Sequence, residues 1–559
     1  MLIAAILIGA VPLPACTAGP GLARRLQAAA LSAPDGPAQP GGTYTYVAAA
    51  EAPGLDPQAR ASSATQESVS GLVYSKLLEF AAGAGIPYSS ATLEPQLAQS
   101  WDHSADWRTW TFRLRAGVKF QNIAPVGGRE FTSADVACTV KRMKTLPGAQ
   151  ARLLSVVREV RTPDPFIAVF SLAMPFGTFD QVVADDAMVI LPCEGVRGEF
   201  DLDDTAIGTG PFLLAEWNRG TDKTYLKNPD YFVAGQPYLD EIRQVIIADP
   251  SAALAAFRAG QVDSLSITEA LLPALRAAEP RAVVDRLMGA GEAVTFFNLD
   301  EAPFDDYQVR KAVMLAIDRD GEARELGYSD YQLSGPIPPT LYGGMSPAES
   351  AQSAPYDPAQ AKALLAGAGY PSGFSVTLTT SDTWGPDMMS RVRALQGDLT
   401  AIGITATLRV LDGAGFASAW RAGNYRMGFG YLPGMLSADD YLSSLWRSDG
   451  ARNWFNIDDD ALDQMIDEQR ALPNGDARAG KLADINAYIL EHIADPLMSY
   501  LTGAIWVRAP YVRNAYPHPE YAGGYLQSVW LDPRAPGKKG GPLRGALEIC
   551  RLFIRLAIG

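Results

Sequence analysis

An α/β chain of at least two lobes is what this sequence predicts, on two observations. Short strand-like runs alternate with amphipathic helical segments at 134–143, 306–317 and 358–366, a mixture that fits neither an all-β sandwich nor a helical bundle. The 559 residues also exceed what one hydrophobic core organises. The formal charge of −15 excludes the basic face with which a nucleic-acid binder displaces counterions from phosphates, so no nucleic-acid partner is expected.

In chain order, residues 2–13 form an uncharged apolar run, too short to span a bilayer but suited to the core of a signal peptide. The run closes on Leu13-Pro14-Ala15-Cys16, which resembles a bacterial lipobox. Residues 1–15 are therefore expected to be removed. Cys16 becomes the lipidated first residue and ties the chain to the outer face of the cytoplasmic membrane. Residues 16–42, rich in Ala, Gly and Pro, read as a flexible tether. Order begins at Thr43: Tyr44 and Tyr46 alternate with small residues as in a half-buried strand, and Leu55-Asp56-Pro57 signals a turn. Gly208 and Gly210 offer a backbone path open to positive φ. In the 306–317 helix Val309, Val313, Ala316 and Ile317 share one face, with Arg310, Lys311 and Asp318 pointing elsewhere. Cys138 and Cys193 either pair, closing a long loop worth about 4 kcal/mol in the chain-entropy model, or stand as two isolated thiols. The basic segment 534–559 reads as a tail outside the fold.

Catalytic chemistry is not signalled. The three histidines, His103, His492 and His518, show no H-E-x-x-H spacing, and Cys-x-x-Cys, G-x-S-x-G and G-x-x-x-x-G-K-[ST] patterns do not occur. No catalytic residue, resident metal or cofactor is expected. Asp458, Asp459 and Asp460 read as a helix start, where carboxylates favour the positive end of the helix dipole.

Residues 93–120, LEPQLAQSWDHSADWRTWTFRLRAGVKF, continue into REFTSADVACTVKRM, where Thr132 or Ser133 caps a helix and Asp135 suits its first turn. GTGPF at 208–212, KNPDYF at 227–232, VTFFNLD at 294–300, APFDDYQVRKAVMLAIDRD and YDPAQAKALLAGAGY follow. Together, over roughly residues 43–533, they resemble the family 5 extracellular solute-binding proteins of ABC importers, the dipeptide, oligopeptide and nickel group. The resemblance implies a two-lobed periplasmic-binding-protein-like clamp of type II, in the large cluster with an extra subdomain in lobe I. Lobe I would hold 43–290 with 500–533 returning to it, lobe II 291–499, and the crossings would be 294–300 and 496–500. It implies a monomeric receptor that captures a solute, most often a peptide, and hands it to ABC permease subunits with cytoplasmic ATPases. The alternatives are an oligosaccharide or metal-chelate receptor and, from another class, a secreted hydrolase or a non-transport interaction protein on the same scaffold.

Family contacts gather in a segment that is 424–442 here. Peptide-binding members place an Asp there, just after an aromatic residue, to pair with the peptide α-amino group. Between Asp412 and Asp439 this chain has no carboxylate, and the equivalent position falls on 432–435. By matching positions, Thr379, Trp384 and Tyr500 face the ligand and Phe429, Tyr431 and Leu432 form a wall, with core packing the competing reading for each aromatic. Asp439, Asp440 or Glu51 would have to replace the carboxylate. Without one, the pocket suits a sugar, a blocked peptide or a chelate and rejects free amines, because a buried ammonium lacking a partner costs several kcal/mol.

Overall fold

A computed structural model describes residues 36–60, 62–83, 85–146, 149–289, 291–432, 434–494, 499–518 and 523–533. Residues 1–35, with the signal peptide, Cys16 and most of the tether, and the tail 534–559 lie outside the described residues.

Lobe I is built on a seven-stranded mixed sheet in the order Val283–Leu287, Ala504–Arg508, Ser264–Ile267, Thr43–Ala48, Glu241–Ile246, Asp222–Lys227, Phe212–Asn218. The strand expected at Thr43 is central, parallel to Glu241–Ile246. Its alternation holds: Tyr44, Tyr46 and Ala48 are buried, and their neighbours are partly exposed. The late strand Ala504–Arg508 inserts antiparallel between two others, so the chain returns here to the sheet that holds Thr43–Ala48.

A second, antiparallel sheet, Ala98–His103, Thr109–Leu114, Ile167–Leu172 and Val157–Asp164, carries the extra subdomain. Trp110, Phe112 and Leu114 point inward from the hairpin strand and pack with Phe170 and Phe179. The helix Ser133–Thr145 starts as the sequence predicts: the Asp135 carboxylate accepts the Thr132 N–H at 3.1 Å and binds Arg129 at 2.6 Å. Cys138 on this helix is disulfide-bonded to Cys193, which decides between the two readings of the cysteines.

Lobe II holds a four-stranded sheet, Glu292–Phe297, Met427–Leu432, Ser375–Ser381 and Thr405–Leu411, covered on both sides. Period-2 alternation sends Phe296 into one core with Trp420, Tyr441 and Trp446, and Phe297 into the other with Val313, Leu378 and Leu395. Arg310 departs from the expectation that it points outward. It is buried, and its guanidinium donates to the carbonyls of Ile493, Phe304 and Asp305 at 2.7–3.1 Å.

Two further sequence readings are corrected. The chain leaves the first sheet after Leu287 and is in the second by Glu292; of the return expected at 496–500, residues 496–498 lie outside the described residues, and the strands Tyr500–Thr502 and Ala504–Arg508 follow. Residues 294–297 are thus core strand rather than a crossing, with Val294 and Phe296 sealed among apolar neighbours. Gly208 and Gly210 do not adopt positive φ. A Cβ at either would collide with the carbonyl oxygens of Val73 and Leu72, so close backbone approach is what demands glycine.

Candidate ligand-binding cleft

The strands Glu292–Phe297 and Met427–Leu432 run antiparallel, with Glu292 opposite Leu432 and Ala293 opposite Tyr431. Where they meet the interlobe passages, two adjoining cavities open. The larger, about 290 Å³, takes Thr268, Glu269 and Ile505 from lobe I and Tyr328, Asp387 and Tyr431 from lobe II. The smaller, about 130 Å³, adds Glu292, Trp384, Arg391 and Tyr500, and both share Gly291, Tyr328, Asp387, Tyr431 and Thr502.

Three residues picked from the sequence therefore meet here: Trp384, Tyr431 and Tyr500. Tyr431, at 43% exposure, is one of the few large apolar side chains left open among the described residues. Trp384 meets the Phe416 ring edge-on at 4.9 Å, which fixes it as a wall. Tyr500 is buried and donates its hydroxyl to Glu322 Oε1 at 2.8 Å, while the Arg391 guanidinium lies 3.9 Å over its ring. Burial pushes the Tyr500 phenol well above its ordinary range; Arg391 opposes the shift and Glu322 adds to it. Burial likewise raises the Glu322 carboxyl, with Arg391 pulling the other way. Phe429 is buried beneath Arg391, 5.8 Å from its guanidinium, and supports the floor from behind.

The remaining picks lie elsewhere. Leu432 is fully buried in a lobe II core, because its strand places it on the face opposite Tyr431. Thr379 lines a separate cavity of about 470 Å³ on lobe II, with Ser375, Thr377 and Arg409. Asp439 is buried at 4% exposure and holds Arg470 Nε at 3.0 Å and Gln469 Nε2 at 2.7 Å, an internal clamp between helices. Asp440 binds Arg152 of the extra subdomain at 2.5 Å. Glu51 is engaged by Lys223 Nζ at 2.9 Å, Trp217 Nε1 at 3.1 Å and the Gly220 N–H at 2.6 Å. Burial alone would raise its pKa, but those donors bring it below the usual carboxylate value.

A carboxylate from a different segment also lines the cavity wall. Asp387, in the first turn of the helix Gly385–Ala401, reaches both cavities. It follows Trp384 by three residues, one helical turn, and that spacing was the available signal. Burial raises the phenol of neighbouring Tyr328, with Arg391 lowering it and Asp387 raising it further. Among the described residues no group of three or more His, Cys, Asp or Glu is placed to hold a metal ion.

The lobes touch. Arg286 of lobe I bridges Glu269 at 2.9 Å and Ser329 Oγ of lobe II at 2.7 Å. Arg152 meets Asp440, the Gly177 N–H donates to the Arg470 carbonyl at 2.8 Å, and the Arg470 guanidinium lies 5.4 Å from the Phe176 ring. This is a closed clamp.

The sequence profile described as bacterial extracellular solute-binding proteins, family 5 middle, matches residues 92–453. Among curated relatives, the heme-binding protein A of Haemophilus influenzae is 27% identical over 531 residues, covering 87% of this chain and 90% of the relative. Di/tripeptide-binding protein 2 of Pseudomonas aeruginosa is 31% identical over 408 residues, covering 67% of this chain and 73% of that protein. Among solved structures, the periplasmic binding protein DppA of Helicobacter pylori in complex with the peptide STSA superposes with a TM-score of 0.74 at 23% identity, covering 88% of this chain and 99% of that one.

Proposed function

Because the chain belongs to the bacterial extracellular solute-binding proteins of family 5, we propose that it is the receptor of an ABC importer whose cargo, a short peptide, is held in the twin cavity between the lobes. The observation that carries this reading is the composition of the cavity wall. Thr268 and Glu269 come from one lobe and Tyr328, Asp387 and Tyr431 from the other, so a ligand there contacts both lobes only when the clamp is shut. Ligand then favours closure by its differential affinity for the closed state. The reading takes support from the peptides named for the Pseudomonas and Helicobacter proteins. The ligand is passed to the permease unchanged.

Anchoring belongs to the same proposal: Cys16 carries lipid on the outer face of the cytoplasmic membrane. Among the described residues no helix is long and apolar enough to cross it. Mass spectrometry of the mature N-terminus tests the anchor, and a Cys16→Ala chain is expected to leave the membrane fraction on salt washing. The receptor reading is tested by small-angle scattering of the mature chain with and without a di- and tripeptide mixture. Saturation is expected to shift the population to a smaller radius of gyration, and an unchanged radius with calorimetric silence overturns the role.

A further inference from the structure

The cavity of about 470 Å³ on lobe II shares no residue with the two cavities of the cleft, and we infer that it is a second binding site, for a small molecule presenting a carboxylate or phosphate oxyanion. It opens over the first half of the strand Ser375–Ser381, whereas the far end of that strand runs on to Trp384 and the cleft. Strand register builds its floor. Thr377 pairs with Thr407 and Thr379 with Arg409, so Ser375, Thr377, Thr379, Thr407 and Arg409 share one face of the sheet. Farther in, the same face is apolar: Gly428 stands beside Thr379 and Phe296 beside Gly428, with Phe416 and Trp420 packed on Phe296. Toward the edge strand Thr405–Leu411 this aromatic cover gives way to hydroxyls and a guanidinium.

Setting donors against acceptors gives the chemistry of the ligand. Arg409 is exposed and forms no ion pair among the described residues; its Nη1 donates to the Asn424 carbonyl at 3.3 Å, which leaves most of its N–H groups open to the cavity. Arg426 faces Glu301 at 3.6 Å, and Glu301 is the one carboxylate among the lining residues, so two guanidiniums stand against a single negative charge. The Tyr425 hydroxyl is spent on the Trp454 carbonyl. Thr379 is 2% exposed, yet its hydroxyl has no hydrogen-bond partner among the described residues. An unpaired hydroxyl so deep is destabilising until something supplies the bond. An acceptor oxygen held in the cavity supplies it. A guanidinium fork beside donor hydroxyls matches the oxygens of a carboxylate or a phosphate, through charge-assisted hydrogen bonds. The volume lies within the range of small-molecule sites, and the Ser, Thr, Asn and Arg side chains around it select against an apolar ligand.

Calorimetric titration of the mature chain tests the site. The probes are citrate, glucose 6-phosphate and glucose, against wild type, Arg409→Gln, Thr379→Val and Arg393→Gln, the last an exposed arginine outside all three cavities. Citrate or glucose 6-phosphate is expected to bind, to weaken at least tenfold in Arg409→Gln and at least threefold in Thr379→Val, to keep its affinity in Arg393→Gln, and to weaken as salt rises. Citrate binding identifies a carboxylate, and glucose 6-phosphate binding a phosphate ester. Arg409→Gln changes an exposed side chain and Thr379→Val keeps the side-chain shape, so both are expected to melt with the wild type and a lost heat of binding reports the site rather than the fold. Glucose binding as tightly as its phosphate, anion binding indifferent to Arg409→Gln or to Thr379→Val, an equal loss in Arg393→Gln, or silence from all three probes overturns the inference.

Discussion

Closure in this chain depends on an approach that one methyl group blocks. Gly177, in the extra subdomain, lies so near lobe II that a Cβ there would come within 3.0 Å of the Leu472 carbonyl and the Pro473 nitrogen. The obstruction is backbone, so no side-chain rotation relieves it, and the Gly177 N–H to Arg470 carbonyl bond of 2.8 Å must stretch as well. Gly177 has an ordinary φ, so alanine is tolerated by its own backbone and the penalty falls on the closed state alone. Overpacking of this kind costs about 1–3 kcal/mol. A bias of that size between two states corresponds to roughly 5- to 150-fold in affinity for a ligand that binds the closed state. Gly177→Ala is expected to weaken binding within that range and to enlarge the radius of gyration at subsaturating ligand, while the thermal midpoint of the unliganded chain hardly moves. Gly480→Ala, at a helical glycine with open space around it, is the control and leaves affinity unchanged. Wild-type affinity and radius in Gly177→Ala would refute the contact as an element of closure.

Neighbouring residues on one strand are expected to separate binding from stability. Leu432→Ala leaves a cavity in a lobe II core and costs about 2–5 kcal/mol in urea denaturation, whereas Tyr431→Ala leaves the midpoint in place and weakens ligand binding. Breaking the Cys138–Cys193 bond by paired serine substitution removes a cross-link over 55 residues, for an expected loss of about 4 kcal/mol on the chain-entropy account; an unchanged midpoint contradicts it. Burial pushes the Asp185 carboxyl up to about 6 in the folded chain, with the Ala187 N–H opposing and Asp440 reinforcing the shift. The folded state therefore holds this proton more tightly than the unfolded chain, whose aspartates titrate near 3.9. The group's contribution to stability falls as pH rises from about 4 to about 6 and is flat above. Asp185→Asn should flatten that decline when denaturation midpoints are compared between pH 4 and 7, and an unaltered slope assigns the pH dependence to other groups.

Much of the scaffold was legible because its signals are local. Alternation at Tyr44 and Tyr46, the Thr132–Asp135 helix start and the Trp110, Phe112, Leu114 face each involve residues within one element, and the structure keeps them. Arg310 was misread because helical periodicity reports which face a residue occupies, and a long side chain on an intermediate face can reach back to buried carbonyls. The passage between lobes was displaced by a few residues because a run such as 294–297 is equally apolar as a covered strand or as a linker under lobes.

The cleft was half legible for a geometric reason. Period 2 states that Tyr431 and Leu432 face opposite sides of their sheet, and it is silent on which side holds the ligand; only the strand's pairing with Glu292–Phe297 and the position of Trp384 decide that Tyr431 looks into the cavity. The carboxylate followed the same logic. Residues 413–438 hold no carboxylate, but the charge at the wall is set by whichever chain segments converge, among them a helix start some forty residues upstream. Asp439, inside the family's contact region, is turned inward to Arg470, and Asp387, outside it, faces the cavity. Position along the chain is therefore a weaker guide to ligand charge than partner occupancy. A carboxylate near the cleft that the structure pairs with an arginine, as Glu269 is with Arg286 and Glu322 with Arg391, is already compensated within the chain.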